Sequence, residues 1–132
     1  MTRSTVSGLT MAILWILTVL LVAGAHGIIR AQESLARTLV MQLRRAEGAL
    51  AAGDWSAAAS IAVDVRREWE AARPGLSLHA DHQHLDLVTE ALLETETLIA
   101  ARNIEAVRAL RLAAERLRSL PERERLLLRN LF

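Results

Sequence analysis

Cysteine, lysine and tyrosine are absent from this chain of 132 residues. Without cysteine there are no disulfides, thiolate metal sites, thiol nucleophiles or lipid-modified cysteine. Without lysine, all 16 basic residues are arginine, a bias that reads as codon composition rather than function. Aromatic residues are scarce: Trp15, Trp55, Trp69 and Phe132. The core must come from Leu, Ala, Val and Ile, which favours close-packed helices and disfavours stacking platforms for sugars or bases. An excess of charge of one sign is missing too. After residue 30 there are 14 Arg against 15 Asp and Glu, so that part is nearly neutral. A nucleic-acid binder would need a basic excess or stripe.

What the chain does have is one long apolar run. No charged side chain lies between Ser4 and Ile29, and Leu9–Ala23 is almost wholly hydrophobic. Two readings fit residues 1–30. Leu9–Ile29 is long enough for a single membrane-spanning helix. Arg3, the apolar centre Met11–Val22 and the small residues Ala23-Gly24-Ala25 also fit a secretory signal cleaved after Ala25. The return of apolar character at Ile28 and Ile29 favours an uncleaved anchor. Both readings put the following domain outside the cytoplasm, and the anchor holds it at the cell membrane. The arginines just after the run (Arg30, Arg37, Arg44, Arg45) point the other way by the positive-inside rule.

Residues 31–132 read as one all-α domain with a single small core. Apolar residues recur at three- and four-residue steps: Leu35, Leu39, Leu43, Ala46 and Leu50, then Trp55, Ala58, Ile61, Val65 and Trp69. Gly53-Asp54 separates these two helices as a left-handed stop followed by a cap. Pro74-Gly75 ends the first hairpin, 31–74, and a connector spans 75–84. The second hairpin, 85–120, carries Leu85, Val88, Leu92 and Ile99, a turn at Asn103, then Ile104, Val107, Leu110, Ala114 and Leu117. Pro121 opens the tail 121–132, expected to form one short helix. The two halves align, Ala51-Ala52-Gly53-Asp54-Trp55 with Ala100-Ala101-Arg102-Asn103-Ile104, so that Leu43 meets Leu92 and Glu47 meets Glu96. The pattern resembles tetratricopeptide-like hairpins without their full signature. A two-hairpin array leaves one face over, for a partner or for the C-terminal tail.

One cluster could carry chemistry. His79, His82, His84 and Asp86 could hold a divalent transition metal, since imidazole and carboxylate are both suitable ligands. A proton sensor is another use, because His titrates near pH 6. The spacing fits no established zinc signature. A solvated polar connector, with Asp81 capping the next helix, explains the same residues. Trp55 and Trp69 fall on one helical stripe and read as core anchors; the alternative makes them, with Phe132, hot spots for a protein partner. His26 sits at the edge of the apolar run. No nucleophile triad or Gly-rich phosphate loop is present, so neither an enzyme nor a cofactor is expected, and no small-molecule substrate is evident.

Five features taken together resemble a group of short bacterial membrane proteins catalogued only as a domain of unknown function. They are the N-terminal anchor, the Gly53-Asp54-Trp55 turn, Trp69 one helix later, and Asp81-His82 ahead of Leu85-Asp86. The fifth is the C-terminal pair Leu120-Pro121-Glu122 and Asn130-Leu131-Phe132. The resemblance implies an all-helical extracytoplasmic domain with no assigned activity, and a partner among integral membrane proteins. His82 and Asp86 are the positions it carries over. The expected function is a membrane-tethered, non-catalytic interaction or accessory module for another membrane or envelope protein. A metal- or pH-responsive sensor is the alternative.

Overall fold

The computed structural model describes residues 2–76 and 80–131, and the side chains of these except at 2–6, 124, 127, 128 and 131. Among the described residues the fold has four helices: α1 (Thr2–Ala51), α2 (Trp55–Leu76), α3 (His82–Ala100) and α4 (Ala106–Leu131). Among the described residues there is no strand, so the class is all-α. The chain divides into two units, residues 1–31 and 32–132.

In the first unit the apolar run is helical and open on every side. Leu9, Met11, Ile13, Leu14, Trp15, Ile16, Leu17 and Leu20 are all exposed. The helix is long and apolar enough to cross a membrane, a description that a signal sequence also meets. Its polar side chains turn back on their own backbone. Thr18 Oγ1 donates to the Leu14 carbonyl at 2.8 Å, and His26 Nδ1 donates to the Val22 carbonyl at 2.9 Å. Such i→i−4 bonds satisfy polar groups where no water is present.

The second unit is two hairpins with matching turns. Gly53 (φ +75°) and Arg102 (φ +51°) both occupy the left-handed region. At the first turn Gly53 N–H donates to Leu50 O at 3.0 Å and Asp54 N–H to Ala49 O at 2.8 Å. At the second, Arg102 N–H donates to Ile99 O at 3.0 Å and Asn103 N–H to Leu98 O at 2.9 Å. This paired pattern is the Schellman stop, which satisfies the last carbonyls of a helix. Both turns are followed by a side-chain cap, one residue out of step: Asp54 Oδ1 accepts from Ala57 N–H at 3.0 Å, three residues on, and Asn103 Oδ1 from Glu105 N–H at 2.9 Å, two residues on. The internal alignment seen in the sequence is thus repeated in the Schellman bonds.

The hairpins close on one another. One core joins Leu39 and Leu43 of α1, Val65 and Trp69 of α2, Leu85 and Val88 of α3, and Leu110 and Leu117 of α4. Polar links show the direction of each neighbour. Gln42 bonds Glu68 between α1 and α2, and Arg66 bonds Glu96 at 2.5 Å between α2 and α3. Arg116 donates to the Leu87 carbonyl between α3 and α4 at 2.8 Å. Arg111 pairs with Glu47 at 2.6 Å, and Arg125 pairs with Glu33. Stepping back along α1 from Glu47 to Glu33 moves forward along α4 from Arg111 to Arg125, so these helices are antiparallel too. The result is an up-down-up-down four-helix bundle. The face that an open two-hairpin array would leave over is occupied by the α1–α4 contact.

Two expected boundaries move. The tail is not a separate short helix: α4 runs through Pro121 to Leu131. Proline removes one helical donor, to the Leu117 carbonyl, and disfavours a helix interior. Here Leu117, Leu120 and Pro121 are all buried, and that packing holds the helix together across the break. Similarly, α2 includes Pro74 and ends at Leu76, and α3 starts at His82, ahead of the expected second hairpin.

Candidate functional site

The segment entering α3 holds most of the residues singled out in the sequence. Asp81 is the N-cap, with extended backbone (φ −63°, ψ 118°), and its Oδ1 accepts from Gln83 N–H at 3.0 Å. His82, the first helical residue, is exposed. Asp86 is exposed and ion-paired with Arg73 of α2. His84 points inward and is only 4 % exposed. His79 lies outside the described residues. His82, His84 and Asp86 are therefore directed to solvent, core and α2 in turn, and no metal-holding group of three is found among the described residues.

His84 sits between α3 and α4. Its Nε2 donates to the Arg116 carbonyl at 3.2 Å, with Ser119 Oγ 3.4 Å away. Because a carbonyl only accepts, the neutral ring carries its proton on Nε2 and presents a bare lone pair on Nδ1. That Nδ1 is buried and has no hydrogen-bond partner. Burial holds the His84 pKa below its ordinary value, helped by the nearby Arg123 cation and opposed by the Arg116 carbonyl and by Asp81. Neutral imidazole is the form that this environment selects.

The same imidazole lines a cavity of about 300 Å³ between the start of α3 and the end of α4. Ala80, Leu120 and Leu126 supply apolar wall, while Asp81, Arg123 and Asn130 supply polar groups. Arg123 makes no ion pair among the described residues, although the Asp81 carboxylate lines the same cavity. The sequence flagged Asp81 and His84 here but not Arg123 or Asn130, because nothing in local spacing joins residue 84 to residue 123. A signal for the burial of His84 was present. It lies four residues before Val88, on the apolar stripe of α3.

The tryptophans behave as core residues. Trp69 is fully buried, so it is no surface hot spot, and its Nε1 donates to Thr89 Oγ1 at 2.9 Å. Trp55 is half-buried and packs against the core. Phe132 lies outside the described residues. One further buried polar residue was not anticipated. Gln32 is 1 % exposed, and neither atom of its amide finds a partner.

Comparison with known proteins gives one match. A family model described as Domain of unknown function (DUF4363) covers residues 28–131. No curated protein and no solved structure matches the chain. The matched stretch takes in both hairpins, both Schellman turns and the cavity between α3 and α4, and on that extent the chain belongs to the DUF4363 family.

Proposed function

We propose that this protein is a single-pass, membrane-tethered helical module whose bundle lies outside the cytoplasm and serves another membrane or envelope protein without catalysing a reaction. The observation that carries the reading is the helix at residues 9–29. It is apolar on all faces and exposed throughout residues 9–24, and Thr18 and His26 are satisfied by its own carbonyls. Such a helix suits hydrocarbon better than water. The bundle supports the non-catalytic part. Glu33, Glu47, Asp86 and Glu96 are each engaged by an arginine from another helix, an arrangement that builds a scaffold rather than frees a carboxylate. Tethering raises the effective concentration of a weak binder at the membrane.

The test is a topology and crosslinking experiment on the full chain in cells. A phosphatase reporter that works only outside the cytoplasm, fused after Phe132, should be active, and the chain should stay in the membrane fraction with its N-terminus intact. In-cell crosslinking should join it to a membrane protein, and replacing residues 1–30 by a cleavable signal should abolish that product. An inactive phosphatase would overturn the orientation, and a mature N-terminus at His26 would overturn the tether. A second reading, a proton-responsive sensor, draws on His84, whose neutral form is favoured by burial beside Arg123.

A further inference from the structure

The cavity between α3 and α4 combines two features that a merely packed interface does not need. First, Asp81 and Arg123 place opposite charges on one cavity without touching each other. Second, the remaining wall is apolar, from Ala80, Leu120 and Leu126, with the buried His84 also among the lining residues. The space, about 300 Å³, is at the small end for a ligand pocket and suits a compact molecule.

We propose that this cavity binds a free α-amino acid with an apolar side chain. The carboxylate fits Arg123, whose planar fork of donors suits that group, with the Asn130 amide as a second donor. The ammonium fits the free oxygen of Asp81, an acceptor on the cavity wall. The side chain fits the wall of Ala80, Leu120 and Leu126. A monocarboxylate would leave Asp81 unserved, and a simple amine would leave Arg123 unserved. Only the zwitterion answers both charges across the gap between them.

The experiment is calorimetry on the full chain in detergent micelles, with L-leucine, L-isoleucine, L-methionine and L-phenylalanine as probes. At least one should bind saturably and raise the melting temperature with concentration. Isocaproate lacks the ammonium and isopentylamine the carboxylate. Each should bind about tenfold or more weakly than leucine, or than the best of the four, as expected for loss of one charge-assisted contact. Arg123→Gln and Asp81→Asn should each weaken binding by a similar factor while circular dichroism stays unchanged, since Asn still caps α3. The proposal fails if none of the four amino acids gives a saturable signal up to about 10 mM, a range in which even millimolar affinity registers. It fails equally if isocaproate or isopentylamine binds as tightly as the amino acid. That comparison stands even where a variant does not fold.

Discussion

Trp69 and Thr89 are joined across the α2–α3 interface by a 2.9 Å hydrogen bond from the indole to the hydroxyl. Thr89 is fully used. Its hydroxyl also accepts from Arg73 Nη1 at 3.0 Å and donates to the Leu85 carbonyl at 3.0 Å. Thr89→Val keeps the shape and removes every one of these contacts, leaving the Trp69 N–H buried and alone. A loss of about 1–3 kcal/mol in unfolding free energy is expected. Thr89→Ser keeps the hydroxyl and should retain most of the stability. Chemical denaturation of the two variants in micelles measures the difference; equal losses would show that the methyl, not the hydroxyl, matters.

The two turns give opposite expectations for glycine. Gly53 holds φ +75° with no neighbouring atom within reach of an added Cβ, so Gly53→Ala meets backbone strain alone. Arg102 holds φ +51° with a side chain already present. A left-handed non-glycine residue costs about 1–2 kcal/mol. Gly53→Ala should therefore lower stability by about 1 kcal/mol, and Arg102→Gly should raise it by a similar or smaller amount, because glycine also gains entropy when unfolded. Thermal melts of both variants should shift in opposite directions.

Gln32 is a polar residue in an apolar place. Its amide nitrogen and oxygen are both buried and unpartnered. Replacing it with Met, which has a similar length and no polar hydrogen, removes that penalty. Gln32→Met should stabilise the bundle by about 1–3 kcal/mol. A domain of this size converts each kcal/mol into roughly 4–8 °C of melting temperature. No rise on calorimetric scanning would mean that the amide is served by a group which the substitution also disturbs.

His84 makes stability depend on pH in one direction. Its folded pKa lies below the ordinary value of 6.5, first because of burial and then because of Arg123. Below that ordinary value the unfolded chain takes up a proton that the folded chain refuses. Stability from this group is therefore complete above about pH 6.5 and declines as pH falls toward the folded pKa. Asp81 opposes the shift, and Arg116 adds a small positive charge effect. His84→Asn should flatten this part of the profile. Denaturant midpoints between about pH 5 and 8, measured for both proteins, decide it, and parallel curves would remove His84 as the cause.

The sequence was most legible where local rules decide structure. The Gly53 stop could be read because glycine is the ordinary residue for a left-handed turn. The alignment set Arg102 opposite Gly53, but the turn was expected at Asn103, because no single-residue rule picks an arginine for the left-handed position. The prolines misled for a converse reason. Pro74 and Pro121 are strong breakers locally, but burial of Leu117 and Leu120 on α4 outweighs the missing donor at Pro121. The candidate site was half legible. Asp81 as a cap follows from its place before α3. The cluster of His82, His84 and Asp86 suggested a shared metal, whereas Asp86 is drawn to Arg73 and His84 turns inward. The meeting of His84 with Arg123 depends on how α3 and α4 pack, which single-chain periodicity does not encode.

The ion pairs of Glu33 with Arg125 and of Glu47 with Arg111 have a consequence for how the protein is made. The first helix of the bundle is made before its covering partner α4, with α2 and α3 in between. The side of the buried stripe Ala36, Leu39 and Leu43 that α4 covers therefore stays open until α4 has left the ribosome. A message cut short near Pro121 would yield a product with its core uncovered, a ready substrate for quality-control proteases. Emergence of α4 and closure of the bundle are, for this architecture, one event.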